Sequence, residues 1–319
     1  MPHYLVIGAG AVGRGVTELL TDRGDTVTVV TRHGAGPQRA GVTLVAADAG
    51  DRDAMAALAT GAAAIFNCAN PAYHRWPTDW PPIADALLSA AEASGAVLVT
   101  TSNLYPYGPP SGPMSPDTPM AATYAKAVVR AQMWRDALSA HREGRVRVTE
   151  VRASDYVGPD SQSVLTRLAL PRVRAGKTVR VIGDPDVAHS WTFTLDVATA
   201  LVAVADTPAA WGRAWHAPTN AARTQREAID DLADAARVPH VPVRSIPWTV
   251  LRAVGLVSRQ VRELRHTRYQ FDAPFIIDDA ATRSELGLVP TPWAEVLRAT
   301  VEGVSPRRPV PSGPASARR

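Results

Sequence analysis

The residues best equipped for chemistry stand at the start of the chain. Gly8, Gly10 and Gly13 spell G-x-G-x-x-G, directly after the apolar run Tyr4-Leu5-Val6-Ile7 and ahead of a helical stretch. In that context each glycine has a task. Gly8 permits a tight turn, Gly10 lets the backbone approach a pyrophosphate, and Gly13 allows close helix–sheet packing. Ala11 and Val12 lie between them at the start of the helix, whose N-terminus attracts phosphate. The expected ligand is a dinucleotide. Its identity is set at the end of the second strand, where a carboxylate would bond a ribose 2′-hydroxyl. This chain has Val29-Val30-Thr31-Arg32-His33 there, with no acid in reach. Arg32 can pair with a 2′-phosphate and Thr31 can donate its hydroxyl to it, so the expected cofactor is NADP(H). Asp48, at the end of the third strand, can contact the adenine or cap the following helix.

A site of this kind needs strands and helices in alternation, and the sequence supplies them. Apolar or β-branched runs predict strands at 4–7, 26–30, 42–46, 63–67, 97–101 and 147–151. Helical stretches at 51–59 and 83–93 fall between them. Asp117 or Thr118 can cap the next helix, with Pro119 in its first turn, and this helix should run to about residue 139. Beyond Arg152 the alternation loosens into helical stretches at 164–174, 195–205 and 224–236, separated by short strands and Pro-rich turns. The expected fold is α/β: a Rossmann-type doubly wound parallel sheet with a smaller C-terminal substrate-binding lobe. The expected division is 1–152 for the nucleotide domain, 153–304 for the lobe and 305–319 for a disordered tail rich in Pro, Ser and Gly.

Composition narrows the function classes. With 46% hydrophobic and 20% charged residues over 319 positions, the chain can bury a large core. The net charge of +4 (34 minus 30) is matched by Arg307, Arg308, Arg318 and Arg319, so it gives no support to nucleic-acid binding by the body of the protein. Apolar runs such as 62–66 are far too short to span a bilayer, so no membrane role is expected. A single cysteine, Cys68, and an N-terminus without a signal-peptide pattern point to the cytoplasm. No His/Cys cluster has metal-ligand spacing, and no G-x-S-x-G is present. Lysine occurs only at Lys126 and Lys177.

Several strings further along resemble the extended or atypical short-chain dehydrogenase/reductase family, the NAD(P)-dependent epimerases, dehydratases and related reductases. The 101–108 string Thr-Ser-Asn-Leu-Tyr-Pro-Tyr-Gly is similar to that family's Ser-Ser-x-x-Val-Tyr-Gly segment. The 152–159 string, Arg-Ala-Ser-Asp-Tyr-Val-Gly-Pro, resembles its Arg-x-x-Asn-x-Tyr-Gly-Pro loop, and Asp196-Val197-Ala198 its Asp-Val-Ala helix start. The resemblance implies that Cys68, Ala69 and Asn70, after the fourth strand, line the nicotinamide ribose, and that Ser102 is a catalytic hydroxyl. The family's Tyr-x-x-x-Lys would put a tyrosine four residues before Lys126, but that residue is Ala122. Tyr124 is two residues before it, a rotation of roughly 200° on a helix, and should face away. Lys126 can still hold the ribose hydroxyls and lower the pKa of a nearby acid.

Another group must then handle the substrate proton. By motif position Tyr107 and Ser102 come first, with Tyr105, Asn103 and Tyr156 behind. The stretch 71–82, with Tyr73, His74, Trp76 and Trp80 among four prolines, reads as a stiff loop able to cover a substrate. Tyr73, Trp76, Tyr156 and Trp191 are the candidate substrate contacts, each with plain packing as the competing role. The first expectation is an NADPH-dependent reductase or dehydrogenase passing hydride to a C=O or C=N group of a small organic substrate. Three others stay open: an epimerase or dehydratase with transient oxidation, a non-enzymatic NADP(H)-binding regulator, and a scaffold recruited for non-redox chemistry. The resemblance also allows a homodimer.

Overall fold

Residue alternation in the first strand sets the layers of the molecule. In β1 (His3–Ile7), Tyr4 and Val6 enter one apolar cluster while Leu5 and Ile7 enter another, because successive strand side chains leave on opposite faces. Such a strand must be covered on both sides. In the computed structural model, which describes residues 1–258, 262–263 and 266–306, it is. α1 (Ala11–Asp22), β2 (Thr26–Thr31), β3 (Val42–Ala46), α2 (Arg52–Ala59), β4 (Ala62–Asn67), α3 (Trp76–Ser94), β5 (Val97–Asn103), α4 (Ala125–Arg142) and β6 (Arg147–Ala153) form the first half. The second half contains β7 (Asp155–Val157), α5 (Leu170–Arg174), β8 (Val179–Ile182), β9 (Ala188–His189), β10 (Trp191–Phe193), α6 (Thr194–Ala205) and β11 (Ala214–His216). β12 (Arg223–Thr224), α7 (Gln225–Ala236), β13 (Val243–Ile246) and α8 (Trp248–Val257) follow.

Seven strands make one parallel sheet in the order β11-β6-β5-β4-β1-β2-β3. This is the Rossmann-like doubly wound α/β fold expected from the alternation of elements. α2, α3 and α4 cover one face, and α1 and α6 the other. Strand order reverses between β1 and β4, and the loops after these two strands carry residues 8–13 and 68–70. In open α/β sheets that crevice is where ligands bind.

The second half adds three two-stranded sheets, β10-β7, β12-β9 and β13-β8, and returns β11 to the edge of the main sheet. It is fastened through α6. Asp196, in the first turn and 1% exposed, accepts from the Thr291 amide at 2.8 Å and the Thr291 hydroxyl at 2.7 Å. This holds the segment ahead of the helix Trp293–Glu302. Asp196→Ala removes the acceptor for two buried donors and is expected to cost about 2–3 kcal/mol in urea unfolding. An unchanged unfolding midpoint would mean the latch contributes nothing to the fold.

Two expected boundaries are corrected. The helix expected from Asp117 or Thr118 begins at Ala125, with Tyr124 as an extended N-cap. Thr118 turns back instead of capping forward: its hydroxyl accepts from the Ser115 amide at 2.9 Å, and its own amide donates to the Ser115 carbonyl at 3.0 Å. Met114 bridges to Ile277 and the Ala122 amide donates to the Pro106 carbonyl at 3.0 Å, so tertiary partners claim this segment. The stretch 71–82 is not a loop throughout; a short 3-10 turn, Tyr73–Arg75, leads into helix from Trp76. Proline near the helix start loses nothing, because its missing N–H has no helical acceptor there. Pro81 and Pro82 lie further inside, and the burial of Trp76 and Trp80 along this stretch offsets the hydrogen bonds they remove. Of the tail expected to be disordered, residues 307–319 lie outside the described residues.

Candidate functional site

The glycines divide into two that close the turn and one that leaves space. Gly8 has φ +99°, and a Cβ there would lie 2.7 Å from the Cys68 carbonyl oxygen. A Cβ on Gly13 would lie 2.1 Å from the Gly8 carbonyl oxygen. Both contacts are with backbone, so the close approach of β1, α1 and the loop after β4 requires glycine. A Cβ on Gly10 would meet nothing within 4 Å. Gly10 is the N-cap of α1 and supplies no side-chain acceptor, so the helix start opens onto free volume. That volume and those amides fit a pair of phosphates.

At the end of β2 the Thr31 hydroxyl donates to the Ala35 carbonyl at 2.9 Å. Arg32 is exposed and makes no hydrogen bond or ion pair among the described residues. Asp48 is also exposed and accepts from the Gly50 amide at 2.9 Å. The capping role open to it belongs to Asp51, which accepts from the Ala54 amide at 3.0 Å.

Past β4, Cys68 and Ala69 are half-buried and Asn70 is exposed. The Thr101 hydroxyl donates to the Cys68 Sγ at 3.4 Å, and burial pushes the thiol up to about 12, which keeps it un-ionised. Ser102, near the end of β5, is buried, and its hydroxyl has no partner among the described residues. A buried hydroxyl left unpaired is rare and calls for a bound partner. Lys126 sits in the first turn of α4, buried, ion-paired with Glu263, its Nζ 4.0 Å from the centre of the Tyr73 ring.

Around this lysine lies an aromatic cluster. Tyr73 packs edge-on against Trp76 at 5.3 Å, Trp76 lies 5.8 Å from Tyr105, and Tyr105 lies 6.2 Å from Tyr124. Tyr124 stacks on His266 at 5.8 Å, and its phenol oxygen is 3.3 Å from that of Tyr269. The expectation that Tyr124 faces away from Lys126 is overturned. It rested on helical rotation, and Tyr124 lies outside the helix with an extended backbone, so both residues approach the same cluster. Burial raises the phenol pKa values of Tyr73, Tyr105, Tyr124 and Tyr269, so all four stay protonated at neutral pH. The Asn103 side chain accepts from the Tyr105 amide at 3.1 Å.

Three other candidates are placed differently. The Tyr107 phenol accepts from the Arg152 guanidinium at 2.7 Å and bonds His216 Nε2 at 2.8 Å, while Arg152 donates to Glu150 at 2.6 Å. Its hydrogen bonds are spent in this buried network. Trp191 is 2% exposed, donates to the Arg223 carbonyl at 3.2 Å and packs on His189. Tyr156 is half-buried in β7, in register with Thr192, and burial raises its pKa.

The structure also brings forward residues that sequence reasoning passed over. Arg130, one turn beyond Lys126, is buried; it donates to the Thr101 carbonyl and lies 4.6 Å from the Trp80 ring. Its i+4 spacing from Lys126 was the available signal. Asp155 is bonded to His189 at 2.9 Å. Asp155 was visible as the Asp in the string 152–159; nothing in the sequence marked His189.

Solved structures that resemble this chain over nearly its whole length support the fold. A dTDP-glucose 4,6-dehydratase from Streptomyces venezuelae, crystallised with NAD, is 21% identical with a TM-score of 0.77, covering 94% of this chain and 96% of that one. UDP-glucose 4-epimerase from Thermotoga maritima is 17% identical with a TM-score of 0.78, covering 94% and 98%. UDP-N-acetylglucosamine 4-epimerase from Methanobrevibacter ruminantium is 14% identical with a TM-score of 0.79, covering 95% and 97%. A search of curated proteins finds no match. Among the described residues no helix is long and apolar enough to cross a membrane. The family model "NAD dependent epimerase/dehydratase family" matches residues 4–216, and this chain therefore belongs to that family.

Proposed function

We propose that this protein binds a nicotinamide dinucleotide in the crevice between β1 and β4. There it oxidises and re-reduces a hydroxyl-bearing carbon of a small substrate, the transient-oxidation chemistry of epimerases and dehydratases. The observation that carries the reading is the open volume at Gly10, framed by Gly8 and Gly13 and facing the uncapped start of α1. Family membership and the nucleotide-sugar enzymes among the similar structures favour this chemistry over a binding-only or non-redox role.

A bound nicotinamide would supply the hydride acceptor and donor. The chain's own residues would do the rest. The amides of Ala11, Val12 and Gly13 would hold the pyrophosphate, Asp48 would flank the adenine, and Cys68, Ala69 and Asn70 would border the nicotinamide ribose. Lys126, freed from Glu263, would hold the ribose hydroxyls, and the orphan hydroxyl of Ser102 would bond the reacting oxygen. Tyr73 and Trp76 would wall the substrate space and exclude water, with Tyr156 at its side. Tyr107 and Trp191 are assigned to packing, because their polar atoms are already engaged.

A second reading, net reduction by NADPH, is favoured by one observation: Arg32, unpaired and exposed at the end of β2, with no acid beside it. Titration calorimetry with NADPH and NADH tests both readings. NADPH should bind at least about tenfold more tightly, or about 1.4 kcal/mol, and Arg32→Ala should erase the difference. Incubation with UDP-glucose, UDP-N-acetylglucosamine and dTDP-glucose, followed by NMR of the products, then separates the two. Conversion without net cofactor consumption supports transient oxidation; consumption of NADPH with a carbonyl probe supports net reduction. Binding of neither nucleotide would sink the proposal.

A further inference from the structure

The phenols at the site are poor bases, yet oxidation of a hydroxyl needs somewhere to put its proton. Lys126, which could draw a phenol towards ionisation, lies over the face of the Tyr73 ring and is paired with Glu263. No tyrosine stands at position 122. One pair of side chains beside the cluster has the required property. His189 Nδ1 is 3.0 Å from the Gln270 carbonyl oxygen, and His189 Nε2 is 2.9 Å from Asp155 Oδ2. A carbonyl oxygen can only accept, so Nδ1 carries hydrogen. A neutral ring would then turn a bare Nε2 lone pair towards a carboxylate oxygen, which is repulsive. The geometry therefore calls for hydrogen on Nε2 as well, donated to Asp155 Oδ2, with the carboxylate as the acceptor of that bond.

The surroundings fix this pair in place and open it on one side. His189 is 1% exposed, stacked on Phe271 at 5.2 Å and Phe275 at 5.4 Å, and set against Trp191 at 4.7 Å. Asp155 keeps 34% of its side chain exposed, and among the described residues its Oδ1 has no hydrogen-bond partner. The charged and titratable groups around the carboxylate are the phenols of Tyr73, Tyr105, Tyr156 and Tyr269, each of which feels its charge. Beyond these phenols lie the Lys126–Glu263 pair, next to Tyr73, and Arg130, next to Tyr156. β7 thus delivers a carboxylate oxygen to the rim of the cluster, and β9 backs it with a buried imidazole.

We infer that Asp155 is the proton acceptor and donor of the site and that His189 is its positioning partner, an assignment that rests on the function proposed above. In the oxidising step the substrate C–H and O–H bonds break and a C=O bond forms. The hydride, with two electrons, would leave to a bound nicotinamide, and the proton would pass to Asp155 Oδ1, while the His189 ring keeps its bond to Oδ2. The returning step reverses each of these transfers, so the pair ends with the protons it began with. His189 adds no atom to the reaction. It holds the carboxylate's inner oxygen so that the outer one stays free.

The test uses the full chain labelled with 15N-histidine and 13C-aspartate. At pH 7 the His189 ring should carry hydrogen on both nitrogens while the Asp155 carboxyl stays ionised, the form in which its outer oxygen can accept the substrate proton. In Asp155→Asn the ring should become neutral. A ring without hydrogen on Nε2, or a protonated Asp155 carboxyl, in the unaltered protein would overturn the inference, whatever the catalytic result. With whichever of the three nucleotide sugars is converted, Asp155→Asn should lower kcat by about 10²–10⁴-fold and leave NADP(H) affinity unchanged. His189→Gln should lower kcat less and shift its pH profile, which a purely structural role would not do. Full kcat in Asp155→Asn would also overturn it. If no nucleotide binds, the proposed function fails while the spectra still decide whether the pair holds its proton.

Discussion

Gly13→Ala and Gly10→Ala, one turn apart in sequence, are expected to fail in opposite ways. The first should destabilise the fold by about 3 kcal/mol or more, because its Cβ would lie 2.1 Å from the Gly8 carbonyl oxygen. The obstacle is the Gly8 backbone, with the Cys68 Cβ 3.3 Å from the added methyl, so relief requires α1 to move away from β1, and Val12, Val16 and Leu20 would lose packing with it. The second should change stability by under about 1 kcal/mol, since Gly10 has an ordinary φ of −71° and nothing lies within 4 Å of the added methyl. That methyl would occupy the space assigned to the pyrophosphate, and affinity for the nicotinamide dinucleotide should fall by at least about tenfold. Thermal unfolding and calorimetry on both variants read the contrast directly. If Gly10→Ala binds nucleotide as tightly as the unaltered chain, the open volume is not the phosphate site.

How far the sequence speaks depends on where a residue's partners lie. β1, the glycine turn and the parallel doubly wound sheet could be read because their causes are local: an apolar run, a φ that needs glycine, a regular alternation of elements. Ser102 was singled out by its string, and the structure adds the one fact the string lacks, that its hydroxyl is buried without a partner among the described residues. The segment 114–124 misled because its caps and proline fit a helix start equally well. Only the distant partners Ile277 and Pro106 decide against it. The rotation argument for Tyr124 failed with that boundary. Tyr107 shows the limit from the other side: a tyrosine at a motif position, whose phenol is claimed by Arg152 and by His216, 109 residues away. The Asp155–His189 pair likewise joins residues 34 apart through the pairing of β7 with β10, a contact no local pattern announces.

The network around Tyr107 should also give the protein an acid limb of stability that one histidine accounts for. His216 is fully buried, with Nδ1 2.8 Å from the Asp278 carbonyl and Nε2 2.8 Å from the Tyr107 phenol. Burial lowers its pKa to about 3, and the nearby Arg152 guanidinium pushes it the same way. Unfolded, the same ring titrates near its ordinary value of about 6.5. Between these two values the unfolded chain binds a proton that the folded chain does not. Stability must therefore rise with pH across that window and level off above it, with a slope from this group of roughly 1 kcal/mol per pH unit. Carboxylates add their own acid sensitivity below about pH 5, so the clean interval is pH 5 to 6.5. His216→Gln keeps a donor and an acceptor for the same neighbours but binds no proton. It should cost stability at pH 7.5 and lose the slope within that interval, so that the two proteins' urea midpoints converge as the pH falls to 5. Parallel curves would show that His216 is charged in the fold. The Tyr107–Arg152–Glu150 network would then have to accommodate a second buried cation, against the order of charges seen here.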